Sequence, residues 1–148
     1  MKLSLIKNNF LVLILIFCFA LFLRMISLQS LPQSFHTDEL FAGYVGKYIL
    51  IHGQDIYGNI FPLYFDKFGD FRPIGNFWLS GFSTLILGLN EFAVRLPSAF
   101  FGALSVFPVF LLVKELFRKE KIALLSSFFL SILPWHIVLS CSTSEGVI

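Results

Sequence analysis

The chain opens with an apolar stretch that is typical of a membrane span. Residues 10–23 carry no charge, and the apolar pattern continues past Arg24 to residue 28. That is about the 20 residues that a helix needs to cross a bilayer. A charged start and an apolar core also fit a signal peptide, but no small-residue cleavage site follows residue 28. The pattern favours an uncleaved anchor over residues 10–28, with the Arg24 side chain reaching the interface near its outer end.

The composition agrees with a bilayer as the main solvent. Of the 148 residues, 57% are hydrophobic and 14% are charged, and the mean hydropathy is +0.83. The charges cluster between apolar blocks, unlike the pattern of an amphipathic soluble helix. A net charge of +2 without a basic stripe excludes nucleic acid as a partner. Cys18 and Cys141 have neither the number nor the spacing of a disulfide framework.

Two further apolar blocks, residues 96–113 and 122–139, are each long enough to span a membrane. The first is entered through Pro97, and the second is expected to kink near Pro134. The short segment between them, residues 114–121, carries four basic side chains. The sequence therefore predicts an all-α integral membrane protein with about three spanning helices.

Basic residues in short loops mark the cytoplasmic side of a membrane. Lys2, Lys7 and the basic segment 114–121 should therefore lie together inside, so that only two crossings can separate them. The first two predicted spans make those crossings, and residues 31–95 form one long outer loop with membrane-surface helices. The third span returns the chain to the outside. The expected setting is the plasma membrane, with the active face outside the cytoplasm.

Residues 77–89 are apolar but too short for a typical span, and the count of crossings places them on the outer surface. Asn76, Ser80, Thr84 and Gly88 recur every four positions and form one stripe of small and polar residues. The stripe fits an interfacial or re-entrant helix. The alternative is a spanning helix with a small-residue packing face.

Earlier in the outer loop, a helix is predicted from Thr37 or Asp38 to residue 52, ending at Gly53. Residues 53–62 have turn chemistry and precede a short apolar segment at 63–65.

Two charged motifs of the outer loop could carry chemistry. Asp38 and Glu39 follow the first span closely, where a partly desolvated carboxylate can act as a general base. The alternative is a solvated helix N-terminus, which also favours acids. Asp70 and Arg72 offer a second acid and a cation that could bind a lipid phosphate. A plain surface salt bridge is the alternative for that pair.

Other candidates are weaker. Arg95 could bind phosphate or anchor the next span at the interface. His136 follows an aromatic-belt residue, Trp135, and is expected to be structural rather than catalytic. The three histidines are too scattered to form a metal site, although the acids could bind a divalent cation. No glycine loop of the P-loop or dinucleotide type is present in the sequence.

Taken together in order, these motifs form a recognisable series. They are His36-Thr37-Asp38-Glu39, Gly53-Gln54-Asp55-Ile56-Tyr57-Gly58, Asp70-Phe71-Arg72-Pro73, Asn90-Glu91-Phe92-Ala93-Val94-Arg95-Leu96-Pro97-Ser98 and Pro134-Trp135-His136. The series resembles the dolichyl-phosphate-mannose-protein mannosyltransferase-like family of GT-C membrane glycosyltransferases, which includes the bacterial aminoarabinose transferases. The resemblance covers nearly the whole chain but only the first third or so of such an enzyme.

The resemblance implies a sugar donor on a polyprenyl phosphate and an acceptor reached from the outer face. It implies that Asp38 is the general base and Glu39 its supporting acid. Arg72, beside Asp70, stands where the family often has a lysine before proline, and would contact the donor phosphate. Arg95 belongs to the Arg-Leu-Pro motif, for which a structural or a phosphate-binding role is implied.

The same resemblance implies a second outer-loop contact at the far end of the chain, made by His136 and Glu145. The family commonly has Ser-Arg in this region, where this chain has Ser140-Cys141. The chain ends in mid-pattern, and we expect a truncated reading frame whose product is inactive alone. The rival classes are a fragment of a polytopic transporter and a non-catalytic membrane protein. A transporter would place acids inside the spans, which these spans lack.

Overall fold

The computed structural model describes residues 2–26, 28–29, 37–67 and 69–143. Within these ranges the chain is mainly helical, with one short β-hairpin and a non-helical stretch at residues 53–63. In order, the elements are α1 (Lys2–Ile26), α2 (Thr37–His52), β1 (Tyr64–Lys67), β2 (Asp70–Pro73), α3 (Gly75–Leu87), α4 (Glu91–Leu104), α5 (Val106–Phe117), α6 (Glu120–Ile132) and α7 (Pro134–Cys141).

Two helical stretches of the described chain are long and apolar enough to cross a membrane. They are Asn9–Ile26, and Glu91–Phe117, which joins α4 and α5. A third candidate is the pair α6 and α7, which meet at a bend of 58°. Large apolar side chains on these helices point outward, among them Phe22 and Leu116, which are 60% and 69% exposed. The predicted all-α membrane fold with about three spanning helices is confirmed, with two candidate spans in the described residues, or three when α6 and α7 are counted as one.

Proline breaks the regular hydrogen bonding of the span at α4, and neighbouring side chains replace the missing bonds. Pro97 has no N–H, so the Ala93 carbonyl four residues earlier loses its helical donor. The Ser83 hydroxyl of α3 donates to that carbonyl. Ser80 and Thr143 donate to the adjacent Val94 carbonyl, at 3.1 Å each. Polar groups inside a membrane protein need such internal partners. The two serine hydroxyls attach α3 to the start of the span, and Thr143 attaches the residues that follow α7.

Helices α2 and α3 pack with their backbones almost in contact. A Cβ atom on Gly46 would lie 1.8 Å from the Phe77 carbonyl oxygen, and one on Gly81 would lie 2.3 Å from the Gly46 carbonyl carbon. Three members of the predicted stripe are buried (Asn76, Ser80 and Thr84). The stripe therefore packs against protein, as small residues do between membrane helices.

We expect Gly46→Ala or Gly81→Ala to destabilise the protein by about 1–3 kcal/mol or more, because the added methyl group must push α2 and α3 apart. Thermal unfolding in detergent measures the effect. Gly75→Ala is the matched control, since a Cβ there meets nothing within 4 Å. An unchanged unfolding temperature for both interface variants would contradict the close packing.

The prediction for α2 is confirmed at both ends. The helix begins at Thr37 and ends at His52. Gly53 follows with φ 71°, and its N–H donates to the Ile49 carbonyl at 2.7 Å. Glycine adopts this left-handed conformation without strain and so ends the helix.

The hairpin between α2 and α3 is a feature that the sequence pattern did not predict. β1 and β2 are antiparallel, with Phe65 opposite Arg72 and Tyr64 opposite Pro73. Phe65 is fully buried, and its ring lies 5.4 Å from that of Phe77 and 6.2 Å from that of Phe41. Contacts with both helices thus hold four-residue strands that would not be stable in isolation.

Candidate active site

The hairpin brings Arg72 to the start of α2. Arg72 lies opposite Phe65, and cross-strand partners share one face of a sheet. Because that face packs on α2 and α3, the Arg72 side chain reaches the first turn of α2. Its Nη1 lies 3.6 Å from Asp38 Oδ2, although 34 positions separate the two residues in sequence.

Asp70 completes this group, which we call the carboxylate–arginine cluster (Asp38, Asp70 and Arg72). Arg72 Nε donates to Asp70 Oδ2 at 2.8 Å, and Nη2 lies 2.7 Å from the same oxygen. The side chains of Arg72 and Asp38 are 27% and 31% exposed, whereas Asp70 is 62% exposed. The cluster is therefore open to solvent on the Asp70 side and more sheltered at Asp38.

Glu39 lies in a different environment from its neighbour Asp38. Its carboxylate is 2% exposed and forms a two-point ion pair with Arg95, which is 0% exposed. Arg95 Nε donates to Oε1 at 3.1 Å, and Nη2 donates to Oε2 at 2.9 Å. Such fork-shaped pairs fix both distance and orientation.

Two other parts of the chain attach to this buried ion pair. The Thr143 N–H donates to Glu39 Oε1 at 3.0 Å. Arg95 Nη1 donates to the Leu28 carbonyl at 3.2 Å. One ion pair therefore connects α4 with the first turn of α2, with Leu28 beyond the end of α1, and with Thr143 beyond the end of α7.

Arg24 was expected to reach the membrane interface, and that expectation is wrong. The side chain is 0% exposed and points into the helix bundle. Its Nε donates to Ser140 Oγ and its Nη1 to the Ala20 carbonyl, both at 2.8 Å. Its Nη2 donates to His136 Nδ1 at 2.6 Å. Neutral groups of α1 and α7 accept the hydrogen bonds of the guanidinium, which therefore has partners without contact with water.

His136 also points into the bundle. Arginine can only donate hydrogen bonds, so the Nδ1 that accepts from Arg24 carries no proton, and the proton of the neutral ring is on Nε2. Nε2 lies 3.4 Å from Ser105 Oγ. Pro134 opens α7 two residues before His136. The Ser131 carbonyl, in the last turn of α6, lies 3.5 Å from Arg24 Nη1. These contacts link α7 to α1 and α4 at the bend.

The predicted site residues thus fall into three groups. Asp38, Asp70 and Arg72 meet in the cluster, Glu39 and Arg95 form the ion pair beneath it, and His136 lies with Arg24. Glu145 lies outside the described residues.

Within residues 2–26, 28–29, 37–67 and 69–143, no group of three or more His, Cys, Asp or Glu side chains could hold a metal ion. The inward role of Arg24 was missed, although a charge within an apolar run is the signal for it.

Comparison with known proteins identifies the family. The family model described as dolichyl-phosphate-mannose-protein mannosyltransferase matches residues 71–145, half of the chain. The chain belongs to this family. The matched residues of this mannosyltransferase-like chain include Arg72, Arg95 and His136, while Asp38 and Glu39 precede them.

Relatives with a stated activity are bacterial. The mannosyltransferase-like chain is 29% identical over 99 residues to the undecaprenyl phosphate-alpha-4-amino-4-deoxy-L-arabinose arabinosyl transferase of Erwinia tasmaniensis, which covers 66% of the chain and 17% of that protein. The enzyme of the same name from Pectobacterium atrosepticum is 35% identical over 82 residues, covering 55% of the chain and 13% of that protein. The corresponding transferase 2 of Proteus mirabilis is 33% identical over 82 residues, which again cover 55% of the chain and 13% of that protein.

The chain therefore spans less than a fifth of the length of these relatives. No solved structure matches it.

Proposed function

We propose that this chain forms the outer-loop half of the active site of a membrane glycosyltransferase. The enzyme moves a sugar from a polyprenyl-phosphate donor to a hydroxyl or amine acceptor on the outer face of the plasma membrane. The observation that carries the proposal is the carboxylate–arginine cluster. A candidate base, Asp38, and a candidate phosphate ligand, Arg72, lie 3.6 Å apart at the start of α2.

Family membership supports the reaction class, and the names of the bacterial relatives support the donor. Those relatives act with undecaprenyl phosphate-linked aminoarabinose, according to their names. We extend only the shared chemistry to this chain, which is a sugar on a polyprenyl phosphate.

In the proposed reaction, Asp38 Oδ accepts the proton of the acceptor hydroxyl or amine as the acceptor attacks the anomeric carbon. The bond between that carbon and the phosphate oxygen breaks, and the polyprenyl phosphate leaves. A single displacement of this kind inverts the anomeric configuration. Arg72 stabilises the negative charge that develops on the leaving phosphate, and this stabilisation is stronger where water is excluded.

The phosphate must compete with Asp70 for Arg72. Two carboxylates share one guanidinium in the cluster, and Asp70 is the more exposed of them. Exposed ion pairs are worth little, typically about 0–1 kcal/mol, so a phosphate can replace Asp70 at small cost. Asp38 would then stay beside Arg72, close to the bond that breaks.

Glu39 and Arg95 have a positioning role in this proposal. Their charges neutralise each other below the cluster, and their contacts hold the first turn of α2 against α4. This favours a structural role for Arg95 over phosphate binding, and orientation of Asp38 over direct chemistry for Glu39.

Binding of the lipid phosphate tests the proposal. We expect Arg72→Gln to weaken binding of undecaprenyl phosphate by about tenfold, because it removes the cation of a charge-assisted contact worth about 1.5–3 kcal/mol. Asp70→Asn, the matched control in the same cluster, should bind equally well or more tightly, because the competing carboxylate is gone. Native mass spectrometry of the chain in lipid nanodiscs measures both variants.

Equal affinity of the unaltered chain and Arg72→Gln would overturn the assignment of Arg72. Weaker binding by Asp70→Asn than by the unaltered chain would contradict the competition between Asp70 and phosphate.

A further inference from the structure

The tight turn between α5 and α6 carries three exposed cations. α5 ends at Phe117, and α6 begins at Glu120. Arg118 and Lys119 form the turn and are exposed, and so is Lys121 in the first turn of α6. We call these three side chains the turn cations. None of them forms an ion pair with another residue of the part of the chain that the structure describes.

The acids of the same segment do not balance these charges. Glu120 lies 2.7 Å from the Lys114 ammonium and accepts a hydrogen bond from the Asn9 side chain, so its charge is already paired. Glu115 on α5 is the other acid of residues 114–121 and is exposed. The turn cations therefore outnumber the remaining acid by three to one.

Arg118 has a backbone conformation that glycine would adopt more easily. Its φ is 52° and its ψ is 26°, in the left-handed region, and its N–H donates to the Lys114 carbonyl at 2.8 Å. Helices that end in this way usually have glycine or asparagine at this position, because a Cβ atom is disfavoured there. The chain thus has a cation where the backbone alone favours a small uncharged residue. Residues held in disfavoured conformations cluster at ligand-binding and switch sites.

The turn cations lie level with the ends of two candidate spans. One span begins at Asn9, and the other ends at Phe117. Because the Asn9 side chain donates to Glu120, both ends are at the same level of the helix bundle. Exposed apolar side chains extend up to the turn on both helices, namely Leu112, Leu116 and Phe117 on α5 and Ile122 and Leu125 on α6. The cations therefore lie where the lipid-facing apolar surface ends, which is the level of the lipid headgroups.

We infer that the turn cations bind the headgroup of an anionic phospholipid, with its phosphate at Arg118. A guanidinium can donate two parallel hydrogen bonds to a phosphate, while the two lysines add positive charge. The acyl chains of such a lipid would lie along the exposed apolar side chains next to the turn. The positive-inside pattern predicts that this lipid belongs to the cytoplasmic leaflet. The turn shares no residue with the carboxylate–arginine cluster, so the inference does not depend on the proposed function.

Arg118→Gly removes one turn cation and suits the left-handed backbone, so the variant should remain folded. We expect it to bind phosphatidylglycerol about fivefold more weakly, which is the contribution of one cation near an anionic lipid surface. Phosphatidylcholine with the same acyl chains should bind the variant and the unaltered chain equally. The matched control is Lys47→Gln, which removes one positive charge from α2 and should leave the affinity for phosphatidylglycerol unchanged. Native mass spectrometry of the full chain in detergent measures each affinity.

Three results would overturn the inference. The first is equal affinity of the unaltered chain for phosphatidylglycerol and phosphatidylcholine. The second is an affinity of Arg118→Gly for phosphatidylglycerol that falls no further than that of Lys47→Gln, which would mean that net charge alone attracts the lipid. The third is displacement of phosphatidylglycerol by inorganic phosphate, which would mean that the turn binds a free anion and not a lipid.

A second measurement uses the unaltered chain and is independent of folding defects in a variant. Phosphatidylglycerol that carries a diazirine in its headgroup should label peptides of residues 114–122 after irradiation. Labelling confined to peptides of α2 or α3 would show that the headgroup binds elsewhere and would contradict the assignment to the turn.

Discussion

Arg95→Met should lower the free energy of unfolding by about 3–5 kcal/mol, which is the usual cost of removing one partner of a buried ion pair. Glu39 is 2% exposed in the unaltered chain, and the substitution removes the guanidinium that pairs with its carboxylate. The same change removes the donor that holds the Leu28 carbonyl. Equilibrium unfolding in mixed micelles, followed by circular dichroism, measures the loss.

A double variant shows how much of the loss comes from the charge left behind. Glu39→Leu/Arg95→Met removes both charges, and a buried pair replaced by apolar groups of similar volume is often near neutral in stability. The double variant should therefore be more stable than Arg95→Met alone. A double variant that is less stable than either single variant would mean that the pair itself, and not the unpaired charge, stabilises this region.

Asp38→Asn should reduce sugar transfer by at least about a hundredfold, the lower end of what a general base contributes. Activity requires the rest of the enzyme, so the measurement uses a chimera. In it, residues 1–143 replace the matching segment of the Erwinia tasmaniensis transferase, and transfer of labelled aminoarabinose is followed. Asparagine keeps the size of Asp38 but cannot accept the acceptor's proton. Because Asp38 is partly exposed, the variant should fold normally.

Asp70→Asn is the matched control in the same chimera and should retain transfer, since Asp70 has no proton-accepting role in the proposed mechanism. Glu39→Gln should lower the amount of folded enzyme more than its rate per folded molecule, because Glu39 is assigned to positioning. Full transfer by Asp38→Asn would remove Asp38 from the mechanism.

The local features of this fold could be predicted from sequence. The limits of α2 follow from an acidic first turn and a terminal glycine, which act within a few residues. The spans follow from the length of apolar runs. The hairpin could not be predicted in this way, because its strands have four residues each and lack a clear alternation. Phe65 stabilises them through contacts with α2 and α3 that lie outside the segment.

The candidate site was predictable as a set of residues but not as an arrangement. Asp38, Glu39, Arg72 and Arg95 all came from the motifs. Which acid pairs with which arginine depends on contacts across 34 and 56 positions, and no local spacing encodes those contacts. The sidedness of the outer loop stays a prediction from the positive-inside pattern.

The sequence by itself determined that the chain is a membrane protein whose charges cluster between apolar blocks, since hydropathy and charge clustering are properties of composition along the chain. Only the tertiary structure decided that Asp38 faces Arg72 while Glu39 is buried against Arg95. Neighbouring helix positions point about 100° apart. The packing of α2 on α4 and of the hairpin on α2 therefore sets which carboxylate is buried and which stays partly exposed to solvent. The packing of α6 and α7 against α1 turned Arg24 inward, where Ser140, His136 and the Ala20 carbonyl accept its hydrogen bonds.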